Sequence, residues 1–213
     1  MNFDISDTRQ RIKAEAGMLL MKYGLRSMSM DDIAAHLGMS KKTIYLHYTD
    51  KEELVGEIIT EMLNKNEKDC NCEVTQSENA IHEVILAMTM LQSLIPTINP
   101  SLLNDLQKYH PKVFLKFKKH KDQFLFNVFK SNLERGKKEK LYRPDINAEI
   151  LAKFRVESIM ILFNPEFSTN FSDSQLDIQL EVLRNFLFGL VTAKGYELLV
   201  NYLAQQKKQK KKN

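Results

Sequence analysis

Length, composition and charge narrow the classes of protein to which this sequence can belong. Its 213 residues can form one large domain or two small ones with a substantial core. The 43% hydrophobic and 27% charged residues are ordinary for a globular protein, and a net charge of +4 is too small to indicate nucleic-acid binding by itself. Only seven glycines and five prolines interrupt many Leu, Met, Lys and Glu residues, so we predict an all-α fold.

The cysteines and the apolar stretches argue against a secreted or membrane-spanning protein. Cys70 and Cys72 are too few and too close together for a disulfide framework. The N-terminal segment carries charges where a signal peptide needs an apolar run. The longest apolar stretches, such as 84–91, are shorter than a bilayer-spanning helix. We therefore expect a cytoplasmic protein without a membrane partner.

Helix start and stop signals divide the first third of the chain into four predicted helices. Apolar residues recur at helical spacing, small polar residues stand at the expected N-terminal caps, and glycines follow the helix ends. The predicted helices cover 7–23, 29–37, 40–48 and 50–68, followed by a polar linker at 69–77. The predicted caps are Ser29 with Asp32, Ser40 and Asp50, and the predicted stops are Gly24 and Gly38.

Proline and glycine breaks divide the rest of the chain into mostly longer helices. We predict them near 77–94, 101–108, 112–135, 147–163 and 174–205, with breaks at Pro96, Pro100, Pro111, Gly136, Pro144 and Pro165. The last predicted helix has a long Leu-rich face, which favours packing against another pair of helices.

The second and third predicted helices form the most informative pattern. Both are short, and the tight turn through Gly38 and Met39 joins them as in a helix-turn-helix. Small and apolar residues supply an inner face, so the start of the third helix can enter a major groove of DNA. A solvated helix face that binds nothing is the alternative interpretation of the same spacing.

Side chains in and just after the third helix have the chemistry of DNA contacts. Cations and a hydroxyl near its start offer donors to base edges and phosphates, and aromatic residues a turn later can contact the sugar-phosphate backbone. The candidate residues are Lys41, Lys42, Thr43, Tyr45, His47, Tyr48 and Lys51.

Two stretches carry a resemblance to a known family. They are RQRIKAEAGMLLMKYG at 9–24 and SMSMDDIAAHLGMSKKTIYLHYTDKEEL at 27–54. Together they resemble the N-terminal domain of the TetR family of transcriptional repressors. The resemblance implies DNA contacts by Ser29, Lys42, Thr43, Tyr45, His47, Tyr48 and Lys51, with Lys41 as a neighbour. Lys42 stands where the family often has Gly or Ala, and Tyr48 stands where Phe is commonest.

The resemblance also implies an organisation for the whole chain. A helix-turn-helix DNA-binding domain at 1–52 would precede a larger helical ligand-binding and dimerisation domain at 53–205 and a lysine-rich tail at 206–213. The homodimer would form through the helices near 147–163 and 174–205 and would bind a palindromic operator in double-stranded DNA. A small hydrophobic effector would release this repressor from the operator.

Met and Phe residues of the longer helices are candidates to line an effector cavity. Methionine adapts to varied apolar shapes, and a polar residue among apolar neighbours can anchor a ligand. The candidate ligand-binding residues are Met88, Phe114, Phe117, Gln123, Phe124, Phe154 and Arg155. Ordinary core packing is the alternative interpretation of the apolar members.

Two other functions are compatible with the sequence. Cys70 and Cys72 could make the protein a thiol- or redox-responsive regulator, although two free cysteines in an exposed linker are the simpler interpretation. A helical enzyme is the other alternative. The sequence has no glycine-rich phosphate loop, no nucleophile elbow and no metal-ligand motif, so we expect no enzymatic activity, no metal site and no cofactor.

Overall fold

The structure is a computed structural model that describes residues 5–160, 163 and 174–210. The described residues form helices joined by turns, with one isolated β-bridge between Tyr142 and Val191 and no strand among them. The predicted all-α class is confirmed. The helices are α1 Ile5–Tyr23, α2 Met30–Leu37, α3 Lys41–His47, α4 Lys51–Gln76, α5 Ala80–Leu94, α6 Leu102–Tyr109, α7 Pro111–Lys119, α8 Phe126–Lys138, α9 Ala148–Met160, α10 Gln175–Leu190 and α11 Ala193–Lys210.

The helix caps near the N-terminus are those that the sequence predicts. Gly24 and Gly38 both adopt positive φ, at 90° and 64°, where a residue with a Cβ is strained. Ser29 and Ser40 accept hydrogen bonds from the third residue of α2 and α3, respectively. Asp50 Oδ1 accepts from the Glu53 N–H at 2.8 Å and so caps α4.

The chain divides into two compact units that differ from the predicted domains. Unit 1 comprises Met1–Asn66 and Thr97–His120, and unit 2 comprises Glu67–Pro96 and Lys121–Asn213. The predicted boundary after residue 52 does not coincide with them, because the first part of α4 and both α6 and α7 share the core of the N-terminal helices.

The core of unit 1 lies between α1, α2, α3, α4, α6 and α7. Its fully buried side chains include Ile12 and Leu20 of α1, Ile33 of α2 and Ile44 of α3. Burial of one such side chain contributes about 1.5–3 kcal/mol, so this core fixes where α3 lies within unit 1.

The core of unit 2 is formed by α5 with α8, α9, α10 and α11. Ile81, Leu133, Ala152, Leu187 and Leu199 supply one buried side chain from each of these helices. The Leu-rich face that we expected to pack on another pair of helices therefore belongs largely to the core of its own unit.

One helix of unit 2 is longer and more apolar than we expected. The 18-residue stretch Ala80–Thr97 has a mean hydropathy of 1.2, so length and composition alone would allow it to cross a membrane. The expectation that every apolar stretch is too short was wrong, because the 3₁₀ turn Ile95–Thr97 continues α5. Ile81 and Met88 of this stretch are buried in the core of unit 2, and 33% of the stretch is buried.

The predicted linker at 69–77 was wrong, because α4 continues to Gln76. The segment contains no proline or glycine that would end the helix, and the buried side chain of Cys70 stabilises the helix by packing.

The predicted helix near 112–135 is interrupted. A turn of π-helix at His120–Leu125 separates α7 from α8. The predicted break at Gly136 was wrong, because α8 runs through this residue to Lys138. Gly136 is required there for packing, since a Cβ would overlap the ring of Tyr142.

The predicted final helix at 174–205 is two helices. α10 ends at Leu190, and Val191 adopts an extended conformation with φ −73° and ψ 146°. The Thr192 N–H donates to the Leu141 carbonyl at 2.9 Å, and the Thr192 hydroxyl accepts from the Gly195 N–H at 3.1 Å to begin α11. α11 continues to Lys210, beyond the predicted start of the tail.

Candidate nucleic-acid interface

α2 and α3 form a helix-turn-helix with well-defined caps. The Ser29 hydroxyl accepts from the Asp32 N–H at 3.1 Å, and the Asp32 carboxylate accepts from the Ser29 N–H at 2.8 Å. The hydrogen bonds from the Ser29 hydroxyl and N–H lower the pKa of Asp32. Ser40 accepts from the Thr43 N–H at 3.1 Å and fixes the start of α3.

The two sides of α3 differ in burial. Ile44 is buried in the core of unit 1, whereas Lys41, Lys42, Tyr45 and Leu46 are exposed. α3 therefore has an anchored inner side and an outer side that carries two cations, a phenol and an aliphatic side chain.

A polar network holds the C-terminal end of α3 against α1 and α4. Arg9 Nη2 pairs with Glu53 at 2.8 Å and with Glu57 at 2.5 Å, and Arg9 Nη1 donates to the His47 carbonyl. The Arg9 guanidinium lies over the Tyr48 ring, 4.2 Å from its centroid. The hydrogen bond from Arg9 lowers the pKa of Glu53 to about 2, helped by the Thr49 N–H and hydroxyl.

Tyr48 was wrongly predicted to contact DNA. Its side chain is 0% exposed, and its hydroxyl lies 3.2 Å from Glu57 Oε2 and 3.3 Å from the Arg9 carbonyl. Burial, followed by the nearby Glu57, raises the pKa of Tyr48. Tyr48 therefore supports α3 from inside unit 1. Its hydroxyl, which a Phe at this position would lack, takes part in the polar network around Arg9.

Lys51 has a partner within unit 1. Its ammonium donates to the Leu25 carbonyl, and partial burial lowers its pKa. This contact ties the start of α4 to the turn that follows α1. The predicted phosphate contact of Lys51 stays a prediction.

The other predicted DNA contacts lie on α3, except Ser29, which caps α2. Lys42 and Tyr45 are exposed, and Thr43 and His47 are partly exposed. Lys41 is exposed but forms an ion pair with Asp31, and the Ser29 hydroxyl lies 2.5 Å from Asp32 Oδ2. Contact with DNA by these six residues stays a prediction.

Sequence reasoning missed Leu46, whose side chain is 74% exposed on α3. A signal was present, because Leu46 lies two residues after the buried Ile44 and therefore points away from the inner side of the helix. An aliphatic side chain there can contact a thymine methyl group in a major groove.

The predicted ligand-binding residues are divided between the two units. Phe114 and Phe117 belong to unit 1, where their ring centroids lie 6.1 Å apart and both side chains pack against its core. Met88 is buried in the core of unit 2, so the core interpretation describes it better. Gln123 and Phe154 are exposed on unit 2.

The remaining two candidates lie in unit 2. Phe124 is partly buried in the π-helical turn. Arg155 is buried on α9 and donates to the Ser158 hydroxyl at 3.0 Å. Among the residues that the structure describes, no three His, Cys, Asp or Glu side chains form a group able to hold a metal ion.

Comparisons with known proteins agree with this geometry. Residues 12–58 match the sequence model of the family described as bacterial regulatory proteins, tetR family. The uncharacterized HTH-type transcriptional regulator YvaF of Bacillus subtilis is 29% identical over 189 residues, which cover 86% of this chain and 95% of that protein.

Two solved structures show the same fold. A TetR-family transcriptional regulator from Agrobacterium tumefaciens superposes with a TM-score of 0.75 at 16% identity, covering 89% of this chain and 100% of that one. A transcriptional regulator from Saccharomonospora viridis, solved in complex with choline, has a TM-score of 0.67 at 20% identity, covering 88% of this chain and 99% of that one. The helix-turn-helix region therefore matches the tetR family of bacterial regulatory proteins, and the chain as a whole has the fold of solved TetR-family transcriptional regulators.

Proposed function

We propose that the protein is a cytoplasmic, homodimeric repressor that binds a palindromic operator through α3 and leaves it when a small hydrophobic molecule binds. The observation that carries the proposal is the outer side of α3, where Lys42 is exposed and has no ion-pair partner among the described residues. An unpaired cation at the start of a helix can donate to guanine or to a phosphate.

The dimer is supported by apolar side chains that unit 2 leaves exposed. They stand on α9, α10 and α11, and they are Ile150, Phe154, Phe188, Tyr196 and Val200. Exposed apolar surface of this kind is typical of a protein interface. Two copies of α3 in one dimer could then bind two half-sites on the same face of the duplex.

The buried part of the Leu-rich face cannot supply the dimer interface. Leu187 and Leu190 are buried in the core of unit 2, so neither can contact a second copy. Phe188 lies between them on the exposed side of α10, and its ring centroid is 5.7 Å from that of Tyr196. These two aromatic residues are the better candidates.

Release by an effector is supported by the course of α4. Three residues separate this helix from α3, and the helix contributes first to unit 1 and then, from Glu67, to unit 2. A ligand that favours the non-binding arrangement by about 1–3 kcal/mol would weaken operator affinity about 5- to 150-fold. The choline complex of the Saccharomonospora viridis regulator supports a small molecule as the effector class.

The structure favours a small molecule over thiol oxidation. Cys70 is buried, and its burial together with Glu73, Asp69 and Glu83 raises the pKa of its thiol to about 12. Cys72 is exposed and stands two residues further along α4, so the two side chains point to different sides of the helix. A thiol held protonated and away from its neighbour is a poor redox sensor.

The proposal is tested by selecting bound fragments from a genomic DNA library and measuring their affinity by fluorescence anisotropy. Lys42→Ala should weaken binding to the selected fragment at least fivefold, whereas Lys194→Ala, which removes an exposed cation from α11, should leave it unchanged. Equal affinity of both variants and the unmodified protein would show that α3 does not bind DNA.

A further inference from the structure

Arg155 is a buried cation without a buried anion. Arg155 is only 3% exposed, yet among the described residues no carboxylate lies within ion-pairing distance of its guanidinium. Arg135 of the same unit shows the usual arrangement, because it pairs with Glu83 at 3.0 Å and with Glu139 at 2.8 Å. Burial of an unpaired charge is costly, so Arg155 requires an explanation.

The described partners of Arg155 are all neutral. The Ser158 hydroxyl accepts from Nη1 at 3.0 Å. With the Gln179 amide oxygen turned toward the guanidinium, that oxygen accepts from Nη1 at 3.3 Å and from Nη2 at 2.9 Å. Both acceptors are uncharged, so neither compensates the charge of the guanidinium. Burial without a compensating charge lowers the pKa of Arg155.

The guanidinium lies where three helices of unit 2 meet. Arg155 stands on α9, Gln179 on α10, and the Phe129 ring of α8 lies 5.6 Å from the guanidinium carbon. Further aromatic side chains follow on the same helices, with Phe154 and Phe186 stacked at 6.2 Å between centroids. Phe129 and Phe186 are only partly buried, so part of each ring is accessible to a ligand.

We propose that the effector is a carboxylate with an apolar body, and that its carboxylate pairs with Arg155. This inference rests on the proposed function and names the effector's chemical class. A guanidinium matches a carboxylate with two parallel hydrogen bonds, and one negative charge neutralises the one buried positive charge. A dianionic phosphate would leave a net charge in the same place, and a cation would be repelled. The partly buried rings of Phe129 on α8 and Phe186 on α10 then pack against the apolar body.

A purely structural role for Arg155 predicts a different behaviour. An arginine that only joins three helices would affect stability, and it would not distinguish a carboxylate from an alcohol of the same length. The test therefore compares matched pairs of probes on the full-length protein without DNA. The pairs are decanoate with decanol, and 2-naphthoate with 2-naphthalenemethanol, measured by titration calorimetry.

We expect the unmodified protein to bind at least one carboxylate ten times or more tightly than its matched alcohol. Arg155→Gln should abolish this preference while it leaves the alcohol's affinity within about twofold. Arg143→Gln, which changes an exposed arginine of the same unit, should keep the preference. The ratio of two affinities within one variant does not depend on how stable that variant is.

Three results would overturn the inference. They are equal affinities for carboxylate and alcohol in the unmodified protein, an unchanged preference in Arg155→Gln, and failure of every carboxylate to bind. Release of the selected DNA fragment is measured separately with the same probes. If only alcohols bind and release DNA, the carboxylate inference fails and the proposed function stands. If a carboxylate binds through Arg155 without releasing DNA, the site stands and its role as the effector site fails.

Discussion

Tyr45 and Tyr48 stand three residues apart, and the structure assigns them opposite effects on mutation. Tyr45 is 49% exposed on the outer side of α3, so Tyr45→Ala should change the free energy of unfolding by no more than about 0.5 kcal/mol. Tyr48→Ala removes a fully buried ring and its contact with Arg9, which should cost about 3–5 kcal/mol. Tyr48→Phe removes only the hydroxyl beside Glu57 and should cost about 1–2 kcal/mol.

DNA affinity should follow the reverse order. Loss of a contact worth about 1–2 kcal/mol in Tyr45→Ala should weaken binding to the selected fragment about 5- to 30-fold. Tyr48→Phe should bind nearly as well as the unmodified protein at a temperature well below its unfolding midpoint. Urea unfolding and fluorescence anisotropy measure the two quantities on the same samples. A large loss of affinity in Tyr48→Phe, or a large loss of stability in Tyr45→Ala, would refute the assignment of the two sides of α3.

The dimer, the acidic segment of α4 and the start of α11 provide three more tests. Phe188→Glu should give a monomer by sedimentation velocity, whereas Lys194→Glu should remain a dimer; a monomeric unmodified protein at micromolar concentration would contradict the proposal. Burial, then Asp69 and Glu83, raises the pKa of Glu73 to about 7, so its contribution to stability is full below about pH 4.5 and is lost as the pH rises through 7. The Glu73→Gln variant should therefore be more stable than the unmodified protein by about 1 kcal/mol at pH 8, a figure that allows for the partial exposure of Glu73, and the gain should be smaller at pH 5. An equal gain from Glu197→Gln would show that the burial of Glu73 is not the cause. A Cβ on Gly195 would overlap the Leu141 carbonyl oxygen, so Gly195→Ala should lower the free energy of unfolding, measured in urea, by about 2–4 kcal/mol. Gly189 has open space around it, so Gly189→Ala should leave the free energy of unfolding unchanged or raise it.

The sequence was most informative where structure depends on neighbouring residues. The caps at Ser29, Ser40 and Asp50 and the helix ends at Gly24 and Gly38 depend on chemistry within four residues, and each was predicted correctly. The helix-turn-helix followed from them, because two capped helices around a glycine turn leave few alternatives.

The errors concern contacts between distant residues. Tyr48 is buried because Arg9 lies over its ring, and those residues are 39 apart in the chain. The break before α11 contains neither proline nor glycine at Val191 and Thr192, and it is stabilised by the Leu141 carbonyl. Local patterns cannot reveal such partners, so a helical pattern was extended through a turn and a buried tyrosine was counted as exposed.

The Arg9 network also bears on how an effector could act. Glu53 and Glu57 both stand on α4, and between them they hold Arg9, Tyr48 and the Thr49 N–H, which is 2.7 Å from Glu53 Oε2. The C-terminal end of α3 is therefore attached to the first turns of α4 by several charge-assisted hydrogen bonds, which are stronger than neutral ones. Because these contacts resist separation, a displacement of the first turns of α4 would carry α3 with it. A small shift of one helix would then change where α3 meets the DNA, without unfolding the helix-turn-helix.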